Sequence, residues 1–217
     1  MSEGRFEAFR ERVLDLIFPR RLACASCGRE AAVDGHCLCE DCADGLELFV
    51  AAPILKNVSG YTAPLIYNDV SARMVKRLKY NGRRYLAPVI AEFIELPESW
   101  EIDRVVPVPL YASRQRKRGF NQSELIAREL CKRYGLEMDT KLLKRVADTG
   151  QLVGLPGAAR KRSLKGAFLA DEACRGLNVL LVDDVRTTGA TLTECAAELK
   201  RVGCGNVYAA TFCFTKD

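Results

Sequence analysis

The sequence predicts an α/β protein with a doubly wound, mainly parallel sheet, preceded by a small cysteine-rich segment. Two observations predict the sheet. Between residues 61 and 214, short β-rich apolar runs alternate with amphipathic helical stretches. The run Val179 to Val182 has the uninterrupted apolar pattern of a strand buried on both faces. The third observation is a group of closely spaced cysteines between residues 24 and 42, which predicts a separate small module.

The composition is that of an ordinary globular protein. Its 217 residues fit one domain with a small appendage, and 48% of them are hydrophobic. No apolar run is long enough to span a membrane, and the charged start of the chain lacks the pattern of a signal peptide. We therefore expect a cytoplasmic protein whose ten cysteines are reduced or bind metal. The single histidine argues against a histidine-based triad.

Four parts of the chain differ in pattern. Residues 1–22 contain an amphipathic helix, residues 23–45 the cysteine-rich segment, residues 46–60 a linker and residues 61–217 the α/β domain. Pro19 ends the amphipathic helix. A helix that packs on its own domain and a helix that binds a membrane surface or a partner both fit its pattern.

The cysteine-rich segment predicts a structural zinc site. Two Cys-x2-Cys pairs separated by a short loop can place four thiolates on one tetrahedral ion. The pairs are Cys24 with Cys27 and Cys39 with Cys42. His36 and Cys37 lie close by and could replace a ligand, but they do not reproduce the paired spacing. Free thiols and a redox dithiol are the alternatives to zinc.

The elements of the α/β domain follow from apolar spacing and from the residues that interrupt it. Asn81-Gly82 and Pro97 end the first two helices, and Asn121 begins the third, with Glu124 at the capping-box position. The first helix is expected to turn its cations to solvent: Arg73, Lys76, Arg77 and Lys79. The predicted order is strand Pro64–Tyr67, helix Val70–Tyr80, helix Leu86–Leu96, strand Arg104–Leu110, helix from Asn121, strand Lys141–Val146, edge strand Gly166–Leu169, the strand and helix of residues 178–203, and strand Asn206–Phe214.

The stretch from residue 178 to 192 organises this domain. Its strand is followed by Asp183 and Asp184, then by a turn of small residues at 187–191, then by apolar residues at helical spacing. A helix N-terminus offers free N–H groups and a partial positive charge, which suit a phosphate. The two carboxylates suit ribose hydroxyls or a cation-like centre beside that phosphate. An ordinary strand–helix junction capped by threonine is the alternative.

Two basic clusters fall in predicted loops. The loops 107–119, 147–165 and 183–191 all follow strands, so we expect them to meet at the carboxyl edge of the sheet, where ligands bind in this fold class. The cations in the first two loops suit pyrophosphate or nucleic-acid phosphates, and a solvated surface is the alternative. They are Arg114, Arg116, Lys117 and Arg118, and Arg160, Lys161 and Arg162.

Four apolar residues, Asp-Asp, an apolar residue, any residue and Thr-Thr-Gly-x-Thr together resemble the phosphoribosyl pyrophosphate (PRPP) signature of type I phosphoribosyltransferases. Further stretches resemble the ComF family of competence proteins over nearly the whole chain. They are the cysteine pairs, Leu78-Lys-Tyr-Asn-Gly82, Val106-Pro-Val-Pro109, Arg118-Gly-Phe-Asn-Gln122 and Lys165-Gly-Ala-Phe168. This resemblance implies a zinc finger followed by a phosphoribosyltransferase-like domain, and a role in the uptake and handling of transforming single-stranded DNA.

The resemblance also implies a chemistry. Asp183 and Asp184 are the implied catalytic residues, which hold the ribose hydroxyls while a nitrogen nucleophile displaces pyrophosphate from PRPP bound with Mg²⁺. The implied PRPP-binding residues are Asp183, Asp184, Thr187, Thr188, Gly189, Ala190 and Thr191. The acceptor is unknown. Glutamine amidotransferase activity is not expected, because the chain has no room for the glutaminase domain of those enzymes.

A binding module is the rival hypothesis. In it, the pocket serves a phosphate group or PRPP sensing, and the basic loops with the zinc finger bind single-stranded nucleic acid or a protein such as a DNA-uptake helicase. Aromatic side chains would stack on bases, although core packing is the default expectation for most of them. The candidates are Tyr61, Tyr67, Tyr80, Tyr85, Tyr111 and Phe120.

Overall fold

The computed structural model describes residues 23–49, 54–80, 82–148 and 164–216. The helix expected within residues 1–22 lies outside these ranges. So do the second basic cluster, Arg160, Lys161 and Arg162, and most of the loop 147–165. Within the described ranges, no helix is both long and apolar enough to cross a membrane.

A parallel sheet forms the centre of the α/β part. In chain order the strands are β1 (Gly60–Thr62), β2 (Leu65–Ile66), β3 (Arg104–Pro107), β4 (Leu143–Arg145), β5 (Phe168–Ala170), β6 (Val179–Arg186) and β7 (Val207–Phe214). Strands β3, β6 and β7 lie side by side, and β1 and β2 both pair with the outer side of β7. All of these pairings are parallel, which confirms the predicted sheet.

Helices cover both faces of this sheet, as a doubly wound fold requires. They are α1 (Glu40–Asp44), α2 (Asp69–Tyr80), α3 (Leu86–Phe93), α4 (Ala112–Arg118), α5 (Gln122–Tyr134) and α6 (Ala190–Arg201), with a 3-10 turn at Glu172–Cys174. Within β6, Leu180 and Val182 join the core formed with α2, α3 and α5. Val179 and Leu181 join the core formed with α6. Both faces of β6 are therefore buried, which explains its uninterrupted apolar run.

Strands β4 and β5 form a separate antiparallel pair, with Leu143 opposite Ala170. The expectation of an edge strand on the main sheet at residues 166–169 is therefore wrong. Leu143 and Phe168 are buried in the core that contains α6, whereas Lys144 points to solvent. This alternation is that of a two-stranded ribbon with one buried face, and the ribbon packs on α6 rather than extending the sheet.

Two segments differ locally from the expectation. Helix α3 ends at Phe93, not at Leu96, because Ile94 is extended and Pro97 restricts the residues before it. The segment 107–119, expected as a loop, contains the short helix α4. Gly119 ends α4 in the left-handed conformation at φ 79°, and its N–H donates to the Gln115 carbonyl at 2.7 Å.

The described residues of the segment 46–60 run against the sheet edge. The N–H of Ile66 donates to the Glu47 carbonyl at 2.9 Å, and the N–H of Ser59 donates to the Val207 carbonyl at 2.7 Å. An isolated bridge also joins Leu48 and Leu65. The contacts of Glu47 and Leu48 satisfy backbone groups at the outer edge of β2 that would otherwise be open, and the bond from Ser59 extends the pairing of β1 with β7.

Candidate functional site

The carboxylate pair, Asp183 and Asp184, lies inside β6 near its carboxyl end. The expectation that the pair ends the strand is wrong, because β6 continues to Arg186, which pairs with Phe214 of β7. Asp183 Oδ1 accepts a hydrogen bond from Ser123 Oγ at 2.7 Å and another from the Asp184 N–H at 2.9 Å. The strand thus carries both carboxylates up to the edge where the ligand is expected.

Lys79, at the end of α2, forms an ion pair with Asp184. The two side chains are 21% and 5% exposed, so the pair is largely withdrawn from water. The expectation that Lys79 points to solvent is therefore wrong. The physical reason is the carboxylate itself, because a buried charge needs a partner of opposite sign. Asp184 Oδ1 also accepts from the Val185 N–H at 2.9 Å.

The surroundings shift the pKa values of this group. Burial and the neighbouring Asp184 charge raise the pKa of Asp183 to about 7, against the opposing effects of the Ser123 hydrogen bond and the Lys79 charge. Burial alone would lower the pKa of Lys79, but the charge and hydrogen bond of Asp184 outweigh it and raise that pKa. Asp183 therefore exchanges its proton near neutral pH, whereas Lys79 stays charged.

The turn that follows β6 begins α6. Gly189 precedes this helix at φ 72° and has no side chain to cap it, and the Ala190 N–H donates a long hydrogen bond to Thr188 Oγ1 at 3.4 Å. A Cβ on Gly189 would lie 2.5 Å from Leu55 Cδ2 and 3.2 Å from Arg186 Nε. The left-handed backbone therefore favours glycine, and a larger residue would also have to displace the end of the Leu55 side chain. Thr187 and Thr188 are exposed, so the turn is open to an anion at a helix N-terminus.

Asn121 begins α5, as predicted. Its Oδ1 accepts from the Ser123 N–H at 3.1 Å, and its Nδ2 donates to the Val108 carbonyl at 3.0 Å. This cap ties the first turn of α5 to the chain after β3 and so brings Ser123 to Asp183. Glu124 forms an ion pair with Arg128 at 2.9 Å.

Helix α4 carries the first basic cluster, and its cations have different surroundings. Arg118 donates to Gln122, lies over the Tyr80 ring at 5.5 Å, and is close enough to Lys79 to oppose its protonation. Arg116 and Lys117 are exposed. The structure thus brings Arg118 towards the carboxylate pair and leaves Arg116 and Lys117 at the surface.

Three residues near the pair were missed by sequence reasoning. They are Lys79, Ser123 and Arg145. Arg145, in β4, lies over the Phe168 ring at 5.4 Å. Burial lowers its pKa, as does the charge of Arg114, whereas Asp183 acts in the opposite direction. Of the three, Lys79 and Ser123 lie in or beside the stretches that resemble the ComF family, and that position is the signal that could have identified them.

The four paired cysteines come together. The sulfur atoms of Cys24, Cys27, Cys39 and Cys42 all lie within 4.8 Å of one another. The Cys27 and Cys39 sulfurs are 3.8 Å apart, which matches the edge of a tetrahedron with metal–sulfur bonds of about 2.3 Å. His36 instead stacks on Phe93, with ring centroids 4.5 Å apart. The donor set fits a structural metal ion.

Arg29 adjusts the chemistry of this cysteine cluster. Burial alone would raise the pKa of Cys27, but hydrogen bonds from Arg29 and from neighbouring thiols lower it to about 6. The sulfur is therefore a thiolate at neutral pH, the form that binds a metal. Arg29 also forms an exposed ion pair with Asp41 at 2.6 Å.

Helix α2 holds the first cysteine pair in place. Arg77 Nη1 donates to the carbonyls of Cys24, Ala25 and Ser26 at 2.7, 2.8 and 3.1 Å. Only 8% of Arg77 is exposed, so the expectation that it points to solvent is wrong. The turn formed by residues 24–28 is called the cysteine turn below. Its buried carbonyls need donors, and the guanidinium supplies them. One turn earlier, Arg73 Nε donates to Ser26 Oγ at 3.1 Å.

A cavity of about 510 Å³ opens between the cysteine turn and α2. Four of the residues that line it are cations, and no carboxylate is among the described lining residues. The lining consists of Ser26, Cys27, Gly28, Arg73, Lys76, Arg77, Tyr80 and Arg83. Tyr80 is 70% exposed and lies next to Arg118 of α4. The cavity therefore suits an anionic ligand that also offers a flat ring.

Comparison with known proteins gives one domain match and several relatives. The phosphoribosyl transferase domain matches residues 104–217. DNA utilization protein YhgH of Salmonella typhimurium is 35% identical over 174 residues, covering 74% of this chain and 72% of that protein. Competence protein ComFC of Bacillus subtilis is 28% identical over 193 residues, covering 83% and 72%. Competence protein F of Haemophilus influenzae is 29% identical over 153 residues, covering 63% and 65%.

Proposed function

Because this chain belongs to the ComF family of competence proteins and carries a phosphoribosyl transferase domain, we propose that it binds PRPP with Mg²⁺ at the carboxylate pair and the turn 187–191. One observation carries the proposal. Asp183 and Asp184 lie near the carboxyl end of β6, just before an exposed turn at the N-terminus of α6. The carboxylates suit the ribose hydroxyls, and the N–H groups suit the 5′-phosphate.

Residue roles in the proposed reaction follow from this placement. A nitrogen nucleophile forms a bond to C1′ of the ribose while the bond from C1′ to the pyrophosphate oxygen breaks. Asp183 and Asp184 orient the ribose and stabilise the positive charge that develops on it. Mg²⁺, when bound with PRPP, neutralises the pyrophosphate. The cations of α4, Arg114 and Arg118 foremost, support the leaving group.

The rest of the predicted site belongs to the same proposal. Thr187, Thr188, Gly189, Ala190 and Thr191 bind the 5′-phosphate, and the charges of Arg160, Lys161 and Arg162 serve pyrophosphate or nucleic-acid phosphates. The chain is proposed to be a cytoplasmic transferase with zinc at the cysteine cluster. Its proposed parts are residues 1–22, 23–45, 46–60 and 61–217.

Calorimetry with PRPP–Mg²⁺ tests the binding step, using the variant Asp183→Asn. Asp183 is the better target of the pair, because Asp184→Asn would leave Lys79 without its carboxylate. We expect wild-type protein to bind and Asp183→Asn to bind at least about tenfold more weakly. The control Glu101→Gln removes an exposed carboxylate elsewhere and should change nothing. Equal affinity of wild type and Asp183→Asn would refute the site.

A pyrophosphate-release assay tests the transfer step. PRPP–Mg²⁺ is incubated with a panel of nucleobases and amines, and wild type is compared with Asp183→Asn. Release that depends on one amine class and is lost in the variant would establish a transferase and identify its acceptor class. Binding of PRPP with no release for any member of the panel would show a sensing module instead.

The cationic cavity favours a second function, the binding of single-stranded DNA. Lys76 and Arg83 face a cavity whose described lining has no carboxylate, and Tyr80 offers a largely exposed ring. Cations give salt-dependent affinity for phosphates, and an exposed ring gives stacking that tolerates any base. The relatives bear the names of competence and DNA utilization proteins. We therefore propose DNA as a ligand of this cavity, and a DNA-uptake helicase as a protein partner.

Fluorescence anisotropy with a labelled oligothymidine at several salt concentrations tests this second function. Lys76→Ala should weaken binding and lower the salt slope by about one unit. Tyr80→Ala should weaken binding at every salt concentration without changing the slope. The control Lys144→Ala removes an exposed cation of β4, on the opposite face of the sheet. If Lys144→Ala and Lys76→Ala behave alike, the cavity is not the DNA site.

A further inference from the structure

Helix α2 contacts both the cysteine cluster and the carboxylate pair. Arg77 binds the cysteine turn, and Lys79, two positions later, binds Asp184. We infer that α2 couples the two sites: the ordered cysteine turn fixes the position of Lys79, and Lys79 sets the affinity of the carboxylate pair for its phosphorylated ligand. This inference rests on the proposed PRPP site, and it assigns Lys79 and Arg77 as positioning residues of that site.

The contacts between α2 and the cysteine turn extend along much of the helix. Ser26 Oγ donates to the Val70 carbonyl at 3.0 Å, and Arg73 Nε donates to Ser26 Oγ at 3.1 Å. The Arg77 guanidinium then donates to three carbonyls of residues 24–26. Those carbonyls converge only while the turn around the first cysteine pair is closed. An open turn would remove all three carbonyl acceptors of Nη1 and leave the buried guanidinium with the bond from Nη2 to Tyr85 Oη at 3.3 Å, which is unfavourable enough to move the helix.

Helix α2 is packed so that it moves as a unit. Its inner residues Met74, Val75 and Leu78 are at most 2% exposed and belong to the same core as the cysteine turn and the sheet. Closely packed interiors transmit a displacement rather than absorbing it. Two helical positions span only about 3 Å along the axis. A shift at Arg77 therefore displaces Lys79 by a comparable distance.

Lys79 controls the charge of the carboxylate pair. PRPP carries several negative charges, and an unpaired ionised carboxylate at the site repels it. The ion pair with Lys79 cancels the charge of Asp184 and keeps its side chain in place for a ribose hydroxyl. A displaced Lys79 leaves Asp184 either protonated or uncompensated in a largely buried position. Both states weaken binding, because an uncompensated carboxylate repels the polyanion and a protonated one is a poorer acceptor for the ribose hydroxyl.

The first experiment separates the role of Arg77 from the general loss of a positive charge. Arg77→Met keeps the length of the side chain but removes its donors, and Lys144→Met removes an exposed cation of β4, outside both sites. We expect Arg77→Met to lower PRPP–Mg²⁺ affinity about tenfold with metal still bound, and Lys144→Met to leave it within about twofold. Amide hydrogen exchange without ligand should rise at residues 76–80 in Arg77→Met. Unchanged exchange and affinity in Arg77→Met would overturn the inference.

The second experiment tests whether the effect of the metal passes through Lys79. PRPP–Mg²⁺ affinity is measured for wild type and Lys79→Met, each with zinc bound and after removal of zinc by a chelator. We expect zinc removal to weaken wild-type binding about tenfold and Lys79→Met binding less than about twofold. Equal losses in both proteins would exclude Lys79 as the link.

The two experiments distinguish the possible failures. Absence of PRPP binding by zinc-bound wild type would refute the proposed function, whereas hydrogen exchange in Arg77→Met would still report on the coupling. Normal PRPP binding that is insensitive to both Arg77→Met and zinc removal would refute the coupling alone. Rescue by Arg77→Lys should be partial, because one ammonium can donate to the carbonyls of residues 24–26 but has no second nitrogen for Tyr85 Oη.

Discussion

The cysteine cluster and the carboxylate pair both bring like-charged groups together, but their partners come from different parts of the chain. The cluster is assembled by one short segment, and its sulfurs lie within 4.8 Å of one another. The carboxylates are neighbours in β6 but depend on Lys79 of α2 and Ser123 of α5. The difference shows that local cysteine spacing is enough to assemble a metal-binding cluster. Buried carboxylates in a strand depend instead on cations and hydrogen-bond donors from distant parts of the chain.

The largest expected effect is the loss of zinc from the cysteine cluster. The double variant Cys24→Ser, Cys39→Ser removes one thiolate from each pair, so zinc content should fall from about one equivalent to almost none. Metal analysis of purified protein is the measurement. Cys131→Ser is the control, since that thiol lies in α5, outside the cluster. Full zinc retention in the double variant would show that these cysteines are not the ligands.

The next largest effect is on stability and concerns the ion pair between Lys79 and Asp184. Lys79→Met leaves the largely buried Asp184 without its cation and should lower the free energy of unfolding by about 3 kcal/mol. Urea denaturation measures it. The double variant Lys79→Met, Asp184→Asn removes both charges and should recover most of the loss. A double variant as unstable as the sum of the two single variants would show that the ion pair is not the cause.

A smaller effect on stability is expected at the turn after β6. Gly189→Ala should lower the free energy of unfolding by about 2 kcal/mol, because a methyl group meets Leu55 as well as an unfavourable φ. Gly135→Ala is the matched control: its φ is 66° and nothing lies within 4 Å of the added Cβ. Equal losses in the two variants, measured by urea denaturation, would show that the contact with Leu55 is relieved without cost.

The smallest effect is the pH dependence that Asp183 gives to stability. Its pKa is raised from 3.8 to about 7 in the folded protein. Between these values the folded state holds a proton that the unfolded state has released, so rising pH favours unfolding in this window. Relative to Asp183→Asn, wild type should lose about 1 kcal/mol between pH 6 and about pH 7. The free energy of unfolding of both proteins is measured by urea denaturation at each pH. The same pH dependence in wild type and Asp183→Asn would contradict the raised pKa.

Local patterns predicted much of the fold. The apolar run of β6, the turn at Gly189 and the cap at Asn121 are decided by residues within a few positions of one another, and all three occur as expected. The parallel sheet follows from the alternation of strands and helices. The expectation of a loop throughout residues 107–119 is wrong, because it depends on the basic residues, whereas no glycine or proline interrupts the helix of residues 112–118.

The sequence by itself determined the cysteine cluster and the strand–turn–helix unit, because their spacing alone brings the groups together. Only the tertiary structure decided which side chains from elsewhere in the chain contact those sites. Arg77 reaches a carbonyl 53 positions away, and Ser123 reaches a carboxylate 60 positions away. On sequence alone, Arg73, Lys76, Arg77 and Lys79 are four equivalent cations on one helix. Packing of that helix between the cysteine turn and β6 buries two of them against specific acceptors and leaves Lys76 exposed, because desolvated charges are tolerated only where a partner is already in place.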